Sequence, residues 1–326
     1  MERGPYLLKE RRRKRAVPSD TAAQLESWRR LLSECGRKPS RRRVHALRVA
    51  TLRLQARVEH RLEQLPVEDP AKRSVSRWNK QAEKLREALS VVRETDVHLA
   101  KLAGLRKSVG DGSASRSRMS RVCLKEIASV EGRLERTRKR AAKKLAEEID
   151  KRSERLERSS KELTKAPVPD DLLTARSDPG ELQAMISGLA GRVPALDAKS
   201  LHEFRKRVKT VRYVAEMAAP DDAHCAQQVT ALRTMQSALG DWHDCQSLSK
   251  EACRIIKHGA EQGGLVELLE TLTGESLENA LTVCRKTIER LMEVDEKRTI
   301  PKDVAASKRP AKKAEAETRS TRLRLA

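Results

Sequence analysis

The sequence predicts an all-α protein. Apolar residues recur at three- and four-residue intervals over most of the chain, and no stretch gives a convincing period of two. Charged residues make up 36% against 38% hydrophobic, the balance of long solvated amphipathic helices rather than of a sandwich or a doubly wound sheet. Glycine and proline cluster between the periodic runs, where turns belong.

Eight helices are expected. The first, Thr21 to Cys35, stops at Gly36 and Pro39, and the second, Ser40 to Leu65, stops at Pro66 and Pro70. The third, Val75 to Leu105, ends around Gly104 and Gly110-Asp111-Gly112. The fourth, Met119 to Leu163, carries Ile127, Val130, Leu134, Leu145, Ile149 and Leu156 at helical intervals. Its Arg/Lys/Glu density also suits a coiled-coil arm, but the eleven residues from Leu134 to Leu145 are no sustained heptad, so a long bundle helix is the better expectation. Pro167 and Pro169 with Asp170-Asp171 follow it. Then come Glu181 to Leu189, Ser200 to Met217 before Pro220-Asp221, Asp222 to His258 before Gly263-Gly264, and Leu265 to Val294.

This pattern divides the 326 residues into a basic arm (1–19), a first helical half (20–165), a Pro-rich linker (166–180), a second half (181–297) and a basic tail (298–326). The arm and tail have the composition of disordered segments.

The formal charge is +23, from 70 Lys+Arg against 47 Asp+Glu. Such a surplus needs an anionic partner or costs self-repulsion. Three Trp, two Tyr and one Phe, all scattered, are too few to stack the bases of single strands. No apolar run approaches the ~18 residues of a membrane span, and no apolar segment follows the basic start, so a soluble cytoplasmic protein with no membrane partner is expected. The six cysteines form no CxxC pair and read as reduced thiols.

His224-Cys225, and His243-Asp244-Cys245 with Cys253 and His258, contain metal-ligand types without the spacing of a closed site. No metal and no cofactor is expected. There is no P-loop, GxGxxG, GxSxG or HExxH, and the alternating Glu315-Ala316-Glu317-Thr318-Arg319 lies in the tail with no strands to carry a tunnel. The expectation is a protein with no catalytic residues.

The halves share a signature. Val44-His45-Ala46-Leu47-Arg48 matches Leu201-His202-Glu203-Phe204-Arg205 at an offset of 157, and Leu89-Ser90-Val91-Val92-Arg93-Glu94 aligns with Leu239-Gly240-Asp241-Trp242-His243-Asp244 at an offset of 150. Two motifs in the same order argue for an internal repeat.

On a helical wheel His202, Arg205, Lys206, Lys209 and Arg212 share an arc of ~120°, opposite Phe204, Val208, Val211 and Ala215. One face packs and the other presents charge. In the first half His45 and Arg48 share a weaker stripe with Arg53 on its flank, because Leu52 and Gln55 stand where Lys209 and Arg212 stand in the second. A basic face is also the ordinary look of a solvated helix in so basic a chain. Against that, residues 198–214 hold six Lys or Arg and only Glu203 as an acid. Neither His45 nor His202 has a neighbouring Ser or Cys nucleophile in the sequence, so neither reads as a general base.

These motifs resemble the conserved-histidine α-helical domain, the CHAD family, over roughly residues 20 to 295. The likeness rests on Val44-His45-x-x-Arg48-Val49-Ala50, on Leu201-His202-x-x-Arg205-Lys206-Arg207-x-Lys209-x-x-Arg212-Tyr213, and on Leu239-Gly240-Asp241-x-His243-Asp244. The resemblance implies two pseudo-symmetric four-helix bundles from an internal duplication, with the His-bearing helices lining a basic central groove or pore. It implies inorganic polyphosphate as ligand and association with polyphosphate granules. By position the ligand-facing residues would be His45, Arg48, Arg53 and Arg93 from the first half, and His202, Arg205, Lys206, Lys209, Arg212 and His243 from the second. The sequence departs from the family at Leu52, Gln55 and Thr210, usually basic, and at Glu94, usually Asp. Arg233, ten residues before His243 on the same side, adds a cation. Nucleic acid is the alternative partner, favoured by the basic runs Arg11 to Arg15 and Lys308 to Arg324 and opposed by the lack of aromatics and of a reading helix. A phosphohydrolase, or a scaffold for one, is the third reading.

Overall fold

The computed structural model describes residues 21–64, 68, 70–111, 118–165, 179–218, 223–256 and 264–299. The basic arm, nearly all of the basic tail and most of the linker lie outside the described residues. Within them the secondary structure is helical throughout: α1 (Thr21–Arg37), α2 (Arg41–Gln64), α3 (Pro70–Asp111), α4 (Arg118–Lys165), α5 (Pro179–Ala190), a 3₁₀ turn (Val193–Ala195), α6 (Leu201–Ala218), α7 (Ala223–Ile256) and α8 (Gly264–Thr299). The expected all-α class is what the chain adopts. Of the helices that start earlier than the periodicity indicates, two open on proline, α3 at Pro70 and α5 at Pro179. Proline suits the first helical position, where its missing N–H would have no partner.

The packing repeats the spacing in the sequence. Leu25, Trp28, Leu32 and Cys35 of α1 meet Val44, Leu47 and Leu54 of α2, then Val75, Trp78, Ala82, Leu85, Leu89 and Val92 of α3 and Leu145, Ile149 and Leu156 of α4, all buried in one core. Trp28 and Trp78 meet edge to face with centroids 5.8 Å apart. The Trp28 indole N–H donates to Thr51 Oγ1 at 2.9 Å, whose own proton goes to the Leu47 carbonyl. The polar end of a buried tryptophan is thereby satisfied. Where α1 ends against α4, a Cβ on Gly36 would stand 3.0 Å from Ile149 Cγ2, so glycine lets the two helices close.

A second core holds Leu182, Ile186 and Leu189 of α5, Phe204, Val208, Val211, Val214 and Ala215 of α6, Val229, Leu232, Met235, Leu239 and Trp242 of α7, and Ala280, Cys284, Ile288 and Leu291 of α8. Each half thus has four helices and its own core.

A third core belongs to neither half alone. Leu102 of α3 and Cys123, Ile127, Val130 and Leu134 of α4 pack with Leu248, Ala252 and Ile256 of α7 and Leu265 and Leu269 of α8. Beside it Glu126 Oε2 accepts the Leu265 backbone N–H at 2.9 Å, a carboxylate of the first half placed at the N-terminus of a helix in the second. α4 therefore serves two cores with a polar middle between them, which is the bundle-helix role rather than a free coiled-coil arm. Leu248→Ala is expected to lower unfolding free energy by ~2–5 kcal/mol in urea titration, the range for a buried leucine. An effect below about 1 kcal/mol would mean the joint core is not a stabilising contact.

No helix among the described residues is long and apolar enough to cross a membrane. None of the six cysteines forms a disulfide, and all but Cys253 are buried.

Candidate anion-binding site

The two halves touch along α2 with α6 and α3 with α7, and the repeated motifs lie on these four helices. α6 is set at its start by a polar turn: Asp197 Oδ1 accepts the backbone N–H groups of Lys199 and Ser200 at 3.0 and 2.7 Å, and the Phe204 N–H closes onto the Ser200 carbonyl. Those bonds, Ser200 foremost, hold the Asp197 carboxyl below its ordinary range. Phe204, Val208, Val211 and Ala215 then bury into the second core as the wheel predicts, and this sets Arg205 and Lys209 against Arg48 of the first half, with His202 exposed beside them.

The His202 and His243 rings lie side by side, tilted at 46° with centroids 5.4 Å apart, with the neighbouring Trp242 anchored in the core. Burial first, then the charges of Arg205, His202 and Lys209, push His243 down to about 4, so it is a neutral imidazole at pH 7. Its Nδ1 is buried with no hydrogen-bond partner. Lys209 is pushed down to about 7 by burial and by Arg205 and Arg48. Arg205 is lowered chiefly by desolvation, against the opposing pull of Asp244 and Tyr213, and its Nε is buried without a partner.

From the first half, Arg48 is half-buried, donates from Nε to Ser90 Oγ at 3.5 Å, and is lowered by burial and by Arg205, Arg93 and Arg86. His45 is lowered by desolvation, Arg93 and Arg48. The fold therefore brings His45, Arg48, Arg93, His202, Arg205, Lys209 and His243 into one electrostatic neighbourhood. Two carboxylates stand near it: Asp244, pushed up by burial against the pull of Arg205, offsets part of the charge of Arg205 and Lys209, and Glu94 accepts the Ser247 hydroxyl.

The remaining three sequence candidates stand differently. Lys206 is exposed and bonded to Glu203 at 2.7 Å. Arg212 is buried, donates to Glu216 and to Gln236, and lies 4.1 Å over the Tyr213 ring. Arg53 reaches the same Glu216 at 3.2 Å, and Arg233 does so at 2.8 Å. One carboxylate thus gathers three guanidinium groups from α2, α6 and α7. Glu216 went unremarked in the sequence, although it sits four residues after Arg212, the spacing of a helical ion pair. Gln55, the first-half counterpart of Arg212, is also buried and donates to Asn79 at 2.8 Å.

Chemically, part-buried cations with an unspent N–H donor on Arg205 can hold an oxyanion, the guanidinium edges forking two oxygens and the ammonium acting as a point charge. Among the described residues no group of three or more His, Cys, Asp or Glu is arranged to hold a metal ion.

The sequence matches the family model of the CHAD domain over residues 19–252. No match is found among curated proteins. Among solved structures the fold is similar to PptA from Streptomyces chartreusis, at 15% identity and a TM-score of 0.60, covering 83% of this chain and 95% of that one. It is similar also to the CHAD domain from the plant Ricinus communis, at 18% identity and a TM-score of 0.55, covering 84% and 94%. At such identities the likeness is one of fold.

Proposed function

The chain belongs to the CHAD domain family, and from that premise we propose that it binds inorganic polyphosphate at the α2/α3/α6/α7 site, without catalysis, and so attaches to polyphosphate granules. The observation that carries this reading is Lys209 at about 7 beside Arg205, whose Nε has no acceptor. Like charge is crowded there beyond what Asp244 offsets, and a bound anion would relieve the remainder. Polyphosphate offers a continuous line of oxyanions and no base edges, which suits cations fixed on packed helices and needs no aromatic platform.

The reading as a binder without turnover rests on the sequence, which carries no P-loop, GxGxxG, GxSxG or HExxH.

The test is competition between long-chain polyphosphate and duplex DNA at equal phosphate concentration and near-physiological salt, with the full chain. Preference for polyphosphate is expected, weakening steeply with salt through counterion release. Equal or DNA-favouring binding would reduce the site to generic basicity, and phosphate released from polyphosphate with Mg²⁺ would reopen catalysis.

Binding is also expected to depend on pH with a definite sign. Lys209 titrates at about 7 in the free protein, and a bound anion raises that value. Below pH 7 the amine is already charged and contributes fully. Between the free and the bound values affinity falls as pH rises, with proton uptake on binding. Titration calorimetry in buffers of different ionisation enthalpy at pH 8 reads that uptake directly, and zero uptake would remove Lys209 from the site.

A further inference from the structure

The paired arginines of the two halves are treated differently. Arg48 Nε donates to Ser90 Oγ at 3.5 Å, and Ser90 places its own proton on the Arg86 carbonyl, one turn earlier, at 2.7 Å. Arg205 is the counterpart of Arg48, and the motif alignment pairs Ser90 with Gly240. Burial agrees with that register: Leu85, Leu89 and Val92 are inside their core as Met235, Leu239 and Trp242 are inside theirs. At Gly240 there is no hydroxyl to accept, and the Arg205 Nε is buried without a partner.

Packing does not require glycine here. A Cβ built at Gly240 meets nothing within 4 Å, and no glycine among the described residues has a positive φ. Glycine inside a 34-residue helix nonetheless destabilises it relative to alanine. Gly240 lies one turn before His243 and Asp244, the two groups whose titration Arg205 shifts.

We propose that Gly240 sets the affinity of the site by withholding an internal acceptor, so that the Nε edge of Arg205 is kept for a phosphoryl oxygen of the ligand. Arg48, already bonded to Ser90, supplies mainly charge. The α6–α7 side is then the tight end of the site and the α2–α3 side the loose end. This rests on the polyphosphate reading above and adds which donor the chain grips first.

The experiment compares Gly240→Ser with Gly240→Ala in the full chain, titrating labelled long-chain polyphosphate at fixed salt, with circular dichroism to verify helicity. Both variants fill the same open space and favour the helix, but only serine supplies an acceptor, its proton going to the Gln236 carbonyl as that of Ser90 goes to Arg86. Affinity of the serine variant is expected to be about tenfold below that of the alanine variant, the worth of one charge-assisted hydrogen bond. Ser90→Ala, which frees Arg48, is expected to tighten binding about threefold. Equal affinity of the two Gly240 variants, while the unaltered chain binds polyphosphate, overturns the inference and leaves the functional reading standing. Failure of the unaltered chain to bind polyphosphate removes that reading itself.

Discussion

Arg205→Ala combined with Lys209→Ala is expected to weaken polyphosphate binding by at least ~100-fold while leaving helicity intact. Each side chain offers one charge-assisted contact of about 1.5–3 kcal/mol in a desolvated setting, and two such contacts correspond to roughly two to four decades of affinity. Thermal stability is expected to hold or to rise. In the unliganded protein Arg205 and Lys209 repel each other and Arg48, and their apolar neighbours Phe204 and Val208 face the other way into the core. Loss of binding in a folded protein that melts at or above the original temperature identifies the pair as serving the ligand. Loss of fold and binding together would make the stripe structural. Retained binding would mean the anion uses another face.

The largest stability effect is expected at Glu216. Glu216→Gln leaves the buried Arg212 without its carboxylate and loosens Arg53 and Arg233, and breaking a buried pair in this way costs ~3–5 kcal/mol. The half-exposed Arg233 and the part-exposed Arg53 contribute the smaller share, since water screens them. Burial alone would raise the Glu216 carboxyl. The Arg233 hydrogen bond and the charges of Arg212 and Arg53 outweigh it and hold the carboxyl below its ordinary value. A carboxyl lowered by folding stabilises the protein above its unfolded value of about 4.3, and that contribution disappears as pH falls through the folded value. Urea titrations should therefore show a wide gap between the original chain and the variant at pH 7 that narrows below pH 4. A gap under about 1 kcal/mol at pH 7, or one that persists undiminished in acid, would show that the three arginines do not depend on this carboxylate.

Much of this could be seen before any coordinates. The α6 stripe was legible because helical period assigns direction: Phe204, Val208, Val211 and Ala215 lie inside, as their spacing requires. Depth was not legible. Arg212 and Arg205 share one arc on the wheel, yet Arg212 is buried against Tyr213 and spent on Glu216, whereas Arg205 keeps an unspent donor. A wheel gives an angle about one axis and cannot say which neighbouring helix stands there. The joint core was hidden for a related reason. Leu102, Ile127, Leu248 and Leu265 continue the periodicity of their own helices, so nothing local distinguishes them from residues serving a single half. Ser90 and Gly240 were aligned in the sequence, but their difference acquired meaning only once the arginine Nε atoms were located.

The joint core also bears on how the chain is made. α1 to α4 can pack their own core as they leave the ribosome, but Leu102, Ile127 and Val130 must wait for Leu248, Ile256 and Leu269 to be synthesised. At ~5–20 residues per second that delay is roughly ten seconds, during which an apolar strip on an otherwise finished half is open to chaperones and to copies of the same nascent chain. The positive charge spread over this protein, +23 in all, keeps those copies apart through the interval. The surplus that suits a polyanion thus also guards the unfinished chain against its own kind.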